Sequence, residues 1–222
     1  MNAADDPARV RVLVTGFEPF GGSPVNPSML AARATASRRW PGAAVQACIL
    51  PVVGGTGPGS ARRILEGVMD AFRPHAVLLL GEACTRSAVS VERVARNERE
   101  YPIADNAGGV VRGMPVVAGA PGVLGSALPV DDLIAVVRAL GIPAECSSDA
   151  GRFLCNEVMF HLLDRRSRTG APAFAGFIHL PQLPEQHALR PVEARPMPLD
   201  ETVDAMRAIV GRVVGLCVRR EK

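Results

Sequence analysis

Lysine is all but missing: the one lysine is Lys222, and the other 24 of the 25 basic residues are arginine. A phosphate loop ending in Gly-Lys-Ser/Thr therefore cannot be written in this sequence. A Schiff-base lysine in an ordered pocket is almost excluded as well. Aromatics are scarce, with seven Phe, one Trp and one Tyr in 222 residues. That disfavours a base-stacking platform, which clusters aromatics beside basic residues. A net charge of +3 is too weak to argue for nucleic acid or an anionic membrane. No apolar run approaches the roughly 20 residues of a membrane span. Cysteines number five, an odd count with no CxxC pair, which fits reduced thiols in a cytosol. Residues 1–9 are polar, carry Asp5 and Asp6, lack the apolar core of a signal peptide and are expected to be a flexible lead. The expectation is a cytoplasmic protein with no nucleic-acid or membrane partner.

What is present alternates between apolar strands and amphipathic helices. Strands are expected over Val10–Thr15, Ala44–Val53, Ala76–Leu80, Val89–Ala95, Ala144–Ser148 and Ala173–Leu180. Helices are expected from Asn26 to about Arg38, from Ser60 to Phe72, over Val130–Leu140, from Arg152 to about Arg166 and over Leu199–Val218. Asn97–Leu128 reads as a loop with a short hairpin near Val110–Val117, and Gln182–Pro198 as a Pro-rich loop. This pattern implies a single-domain α/β fold spanning residues 1–222: an open, twisted, mainly parallel sheet with helices on both faces. Sites in such sheets form at the C-terminal ends of strands.

Four segments at those ends could carry chemistry. Gly16-Phe17-Glu18-Pro19-Phe20-Gly21-Gly22 places two Phe in a Gly-rich loop, either as buried anchors or as the apolar wall of a small-ligand site. Glu92 interrupts an apolar strand and, if buried, needs either an Arg partner or a histidine to orient. Cys155 falls in the first turn of a helix, after the tight turn Ser148-Asp149-Ala150-Gly151. Unpaired amides and the positive dipole end favour thiolate there and could hold an oxyanion. The other four cysteines are expected to be small buried hydrophobes. His179 ends a strand, where it is either a core histidine or a base for the thiol. Taken together, Cys155, His179 and Glu92 follow the logic of nucleophile, base and orienting carboxylate. With no HExxH or paired CxxC, neither a metal nor a cofactor is expected.

These segments, in this order, resemble the pyroglutamyl peptidase I (pyrrolidone carboxyl peptidase) family. The carrying motifs are Gly16 to Gly22 with Asn26-Pro27-Ser28, Glu92 to Ala95 with Asn97 and Asp105-Asn106, Ala150 to Asn156, and Gly176 to Gln186. The resemblance implies a cysteine peptidase that removes N-terminal pyroglutamyl residues from peptides through a thioester. Cys155 would be the nucleophile, His179 the acid and base, and Glu92 the orienting carboxylate. It further implies that Phe17, Phe20, Asn26, Glu82, Phe153 and Leu154 bind the lactam, and that the protein is a metal-free homo-oligomer, a tetramer or dimer. An apolar slot suits an uncharged lactam better than a charged N-terminal residue.

Four positions depart from the family pattern. Glu82 stands for a Gln, Cys84-Thr85 for two glycines, Pro102 for an Arg and Gln182 for a Tyr. An ionised Glu accepts hydrogen bonds but cannot donate them. If Glu82 weakens lactam binding, Glu82→Gln should raise kcat/KM. The runner-up reading is a weak or inactive member that acts as a binding protein or has altered N-terminal specificity. A third, a nucleoside phosphorylase-like enzyme, meets a shortage of phosphate-binding motifs.

Overall fold

A computed structural model describes residues 9–189 and 191–220; the expected flexible lead falls, but for Arg9, outside them. β1 (Val10–Phe17) runs into a loop, and α1 (Pro27–Ala36) follows. Asn26 caps α1 by accepting the Ser28 amide, with Pro27 in the first turn where its missing N–H is harmless. Next come β2 (Ala43–Leu50), α2 (Ala61–Phe72), β3 (Ala76–Glu82), β4 (Val89–Glu92) and β5 (Val94–Arg96). The chain continues through β6 (Val123–Gly125), α3 (Val130–Arg138), β7 (Ala144–Ser147), α4 (Leu154–Thr169) and β8 (Phe174–Leu180). α5 (Pro184–Leu189) and α6 (Leu199–Arg220) complete it.

The main sheet has six strands in the order β2-β1-β3-β8-β4-β7. Every pairing is parallel except β4 with β8. Strand alternation sorts side chains to two faces. Leu78 and Leu80 of β3, with Ile178 and Leu180 of β8, pack among residues of α3 and α6. Val77 and Leu79 of β3, with Ala175 and Phe177 of β8, pack among residues of α2 and α4. The expected open, mainly parallel α/β sheet, covered on both faces, is therefore the fold observed.

Three local expectations are corrected. The strand expected over Val89–Ala95 breaks at Arg93, and β5 pairs with β6 in a separate two-stranded sheet. Arg93 points outward to Asp131 at 3.0 Å, while its amide donates to Ser147 O. The hairpin near Val110–Val117 is replaced by an isolated bridge between Arg99 and Met114. Side chains take the loop's backbone groups instead: Asp105 accepts the amides of Gly54, Ala107 and Gly109, and Asn97 donates to Val117 O and Ala120 O. The Pro-rich loop contains α5, which begins on Pro184.

Gly16 shows how closely α1 sits on β1. A Cβ at this position would lie 2.2 Å from the Ser28 carbonyl oxygen. Since backbone cannot yield as a side chain can, Gly16→Ala should destabilise the protein by about 2–3 kcal/mol, read as a lower denaturant midpoint at unchanged slope.

Candidate active site

His179, near the end of β8, shares the face of Phe177, the face that α4 covers. Because β4 is antiparallel to β8, Ser90 pairs with His179 and Val91 with Ile178. Glu92 therefore lies level with Phe177 rather than at the same strand edge as His179. Both residues stand at or near strand ends of one sheet, as expected, but Glu92 ends a strand that runs against β8. The carboxylate reaches diagonally along the face, within range of its neighbour's neighbour. Its Oε1 accepts the His179 Nδ1 proton at 2.7 Å and lies 2.8 Å from Arg86 Nη1. Arg86 Nη2 donates to Asp149 O at 2.6 Å, in the turn before α4. Both fates left open for Glu92 are realised at once: it pairs with an arginine and orients a histidine.

Cys155 is the second residue of α4, and no side chain caps this helix start. Gly81, which pairs with His179 across the sheet, admits the sulfur: a Cβ on Gly81 would lie 2.8 Å from Cys155 Sγ and 2.7 Å from Phe177 Cζ. The Phe177 and His179 rings lie 4.7 Å apart. Nucleophile candidate, histidine and carboxylate thus gather on one face, around Gly81 and Phe177.

Electrostatics correct one expectation. Burial, followed by the Glu92 charge, pushes the Cys155 thiol up to about 12, against the opposing pull of its own backbone amide. The helix start does not hold a resting thiolate, because desolvation outweighs the dipole. Burial also lowers His179, and the Glu92 contact only partly restores it. Burial pushes the Glu92 carboxyl up, but the hydrogen bond from His179, with Ser147 and Arg86, holds it below its ordinary value. The resting state is therefore a neutral thiol, a neutral imidazole protonated on Nδ1, and an ionised carboxylate. Of the other cysteines Cys217 is buried as expected, but Cys48 is only half-buried, and Cys84 and Cys146 are exposed.

Beside Cys155 lies a narrow pocket of about 20 Å³, lined by Phe17, Phe20, Asn26, Val52, Glu82, Phe153, Leu154 and Cys155. All six residues expected to bind a ligand are in it. Val52 was missed, since one Val past a strand end carries no local signal; so was Arg86. Phe20 and Phe153 face each other with centroids 6.1 Å apart. The Asn26 amide is turned to the protein: Oδ1 accepts the Ser28 amide and hydroxyl, and Nδ2 donates to Glu18 O. Glu82 accepts Gln186 Nε2 at 3.0 Å on one oxygen and Gln182 Nε2 at 3.4 Å on the other. Two departures from the family pattern, Glu82 and Gln182, are thus matched as acceptor and donor. Among the described residues no group of three or more His, Cys, Asp or Glu is placed to hold a metal ion, and no helix is long and apolar enough to cross a membrane.

Fold and site together define a cysteine hydrolase on an α/β sheet. A model of the pyroglutamyl peptidase family matches residues 10–214. A pyrrolidone-carboxylate peptidase of Gloeobacter violaceus is 45% identical over 185 residues, 83% of this chain and 88% of that protein. The enzyme of that name from Pyrococcus furiosus is 40% identical over 80% of this chain and 83% of its own length. The crystal structure of pyroglutamyl peptidase I from Bacillus amyloliquefaciens superposes with a TM-score of 0.87 at 30% identity, covering 93% of this chain and 95% of that one. The chain belongs to the pyroglutamyl peptidase family.

A thiol held at about 12 gives a signed pH dependence. Below that value the thiolate fraction rises about tenfold per pH unit. Alkylation of Cys155 by iodoacetamide, followed by mass spectrometry on the Cys155 peptide, should climb steadily from pH 6 to 9. A plateau already reached below pH 7 would mean a preformed thiolate.

Proposed function

We propose that this chain removes N-terminal pyroglutamyl residues from peptides, with Cys155 as nucleophile, His179 as acid and base, and Glu92 as the carboxylate that orients His179. The observation that carries this reading is a narrow, mostly apolar pocket with Cys155 in its wall, beside a histidine whose Nδ1 is held by a buried carboxylate at 2.7 Å. Phenyl walls favour an uncharged ring over a charged N-terminus, which would lose its hydration. Because Asn26 is committed to the protein, Glu82 is the pocket group left to accept the lactam N–H.

His179 takes the thiol proton on Nε2 as Sγ attacks the pyroglutamyl carbonyl carbon. Transfer in step with attack suits a neutral thiol–imidazole pair. Amides at the start of α4 stabilise the tetrahedral oxyanion. The imidazolium, stabilised by Glu92, gives its proton to the leaving amine as the C–N bond breaks, and a thioester remains. Water, deprotonated by His179, then attacks the thioester; the C–S bond breaks, pyroglutamate leaves and the thiol is restored. A wider groove shares Phe20 and Glu82 with the pocket, runs past Ile103 and Leu189, and suits the leaving peptide. The same reading carries a cytosolic location and a homo-oligomer, dimer or tetramer.

The test is release of arylamine from a pyroglutamyl arylamide by the reduced protein. Cys155→Ala should lower kcat by at least roughly 10³-fold. No turnover by the wild type, with the ligand still bound, would leave the binding-protein reading in its place. Glu82→Gln sets an amide against the donors of Gln182 and Gln186, so kcat/KM should fall roughly fivefold, the worth of one hydrogen bond. A rise would show instead that the carboxylate hinders the lactam.

A further inference from the structure

Tyr101 is the chain's one tyrosine, and it is 1% exposed. Its hydroxyl donates to Oε2 of Glu157, itself 1% exposed and two residues beyond Cys155 on α4. The other oxygen of Glu157 accepts the Gly55 amide at 2.9 Å and lies 3.6 Å from Arg99 Nη1. The hydroxyl has its seat because residue 54 is glycine: a Cβ there would lie 1.8 Å from the Tyr101 oxygen. On its other side the Tyr101 ring stands against Phe153, centroids 4.9 Å apart and planes at 86°. Phe153 is the residue before α4 and a wall of the pocket.

A phenylalanine would fill the same apolar volume without a polar group to satisfy. A buried phenol bonded to a buried carboxylate is instead a fixed geometry, since neither group can leave without orphaning the other. The phenol's own ionisation is strongly disfavoured, by burial first and Glu157 second, so the hydroxyl remains the donor. Asn156 fastens the same stretch of chain: its Oδ1 accepts the Arg96 amide, and its Nδ2 donates to Arg96 O and Glu98 O. The two residues after Cys155 thus tie the helix start to the segment that carries Tyr101.

We propose that Tyr101, locked through its hydroxyl to Glu157, is a positioning residue that sets the Phe153 wall of the lactam pocket. This rests on the reading that the pocket takes a lactam ring. The ring of the substrate is held alike before and during reaction, so a loosened wall weakens both states. The effect then falls on KM and not on kcat.

Tyr101→Phe keeps the ring and removes the hydroxyl alone. KM for a pyroglutamyl arylamide should rise roughly five- to tenfold, with kcat within about twofold of wild type. Kd for 2-pyrrolidinone, measured by calorimetry, should weaken by the same factor. Glu157→Gln retains an acceptor for the phenol and should recover most of the wild-type KM. Unchanged KM and Kd in Tyr101→Phe, or a fall in kcat at constant KM, overturns the inference. Wild-type protein that binds 2-pyrrolidinone without turning over the arylamide would sink the peptidase reading, and the Kd comparison would still decide this one. Wild-type protein that binds no 2-pyrrolidinone overturns both.

Discussion

Glu92 has no exposure to water. Removing a carboxylate from water alone costs on the order of several kcal/mol, so its place in the sheet is tenable only with partners. Two of them, the His179 ring and the Arg86 guanidinium, meet on the same oxygen. The histidine comes from the neighbouring strand and the arginine from the β3–β4 connection. The arginine in turn grips the turn that delivers Cys155. One buried charge therefore couples the strand pair, a loop and the start of α4. Its loss would leave a buried guanidinium unneutralised and an imidazole free to rotate.

The same burial shapes the thiol. A helix start draws a cysteine toward thiolate, and a dry, negatively charged neighbourhood draws it back. In this site the second effect wins, because the dipole contributes at most a kcal/mol or two and desolvation with the nearby carboxylate contributes more. The proton thus belongs to the sulfur in the resting site. Family membership agrees with this being a hydrolase site.

Much of this was legible in residue order. Strand ends marked by glycine or proline exposed Phe17, Glu82 and His179, and the strand–turn–helix around Cys155 fixed its place in the first turn. Direction within the sheet was not legible. Nothing in Val89–Glu92 says that it runs against β8, because four apolar-flanked residues look alike in either sense. Val52 and the Tyr101–Glu157 pair were equally silent, since each gains its meaning from a neighbour 34 or more residues away, as when the Val52 amide meets Glu18, and Arg86 was silent because nothing local says that its side chain turns to Glu92. The thiol's electrostatics followed tertiary burial, and local sequence speaks only to the helix end.

β8 is the last strand in the chain, yet it lies between β3 and β4 in the middle of the sheet. Both of its flanking strands are made before it, and until it inserts, the sheet is two separate pieces. Such long-range closure is slow compared with local helix formation. It also brings His179 to Cys155 and Glu92 in the same event. Assembly of the candidate site is thereby tied to completed folding: with β8 still unplaced, Cys155 stands apart from His179, and Glu92 lacks its histidine partner.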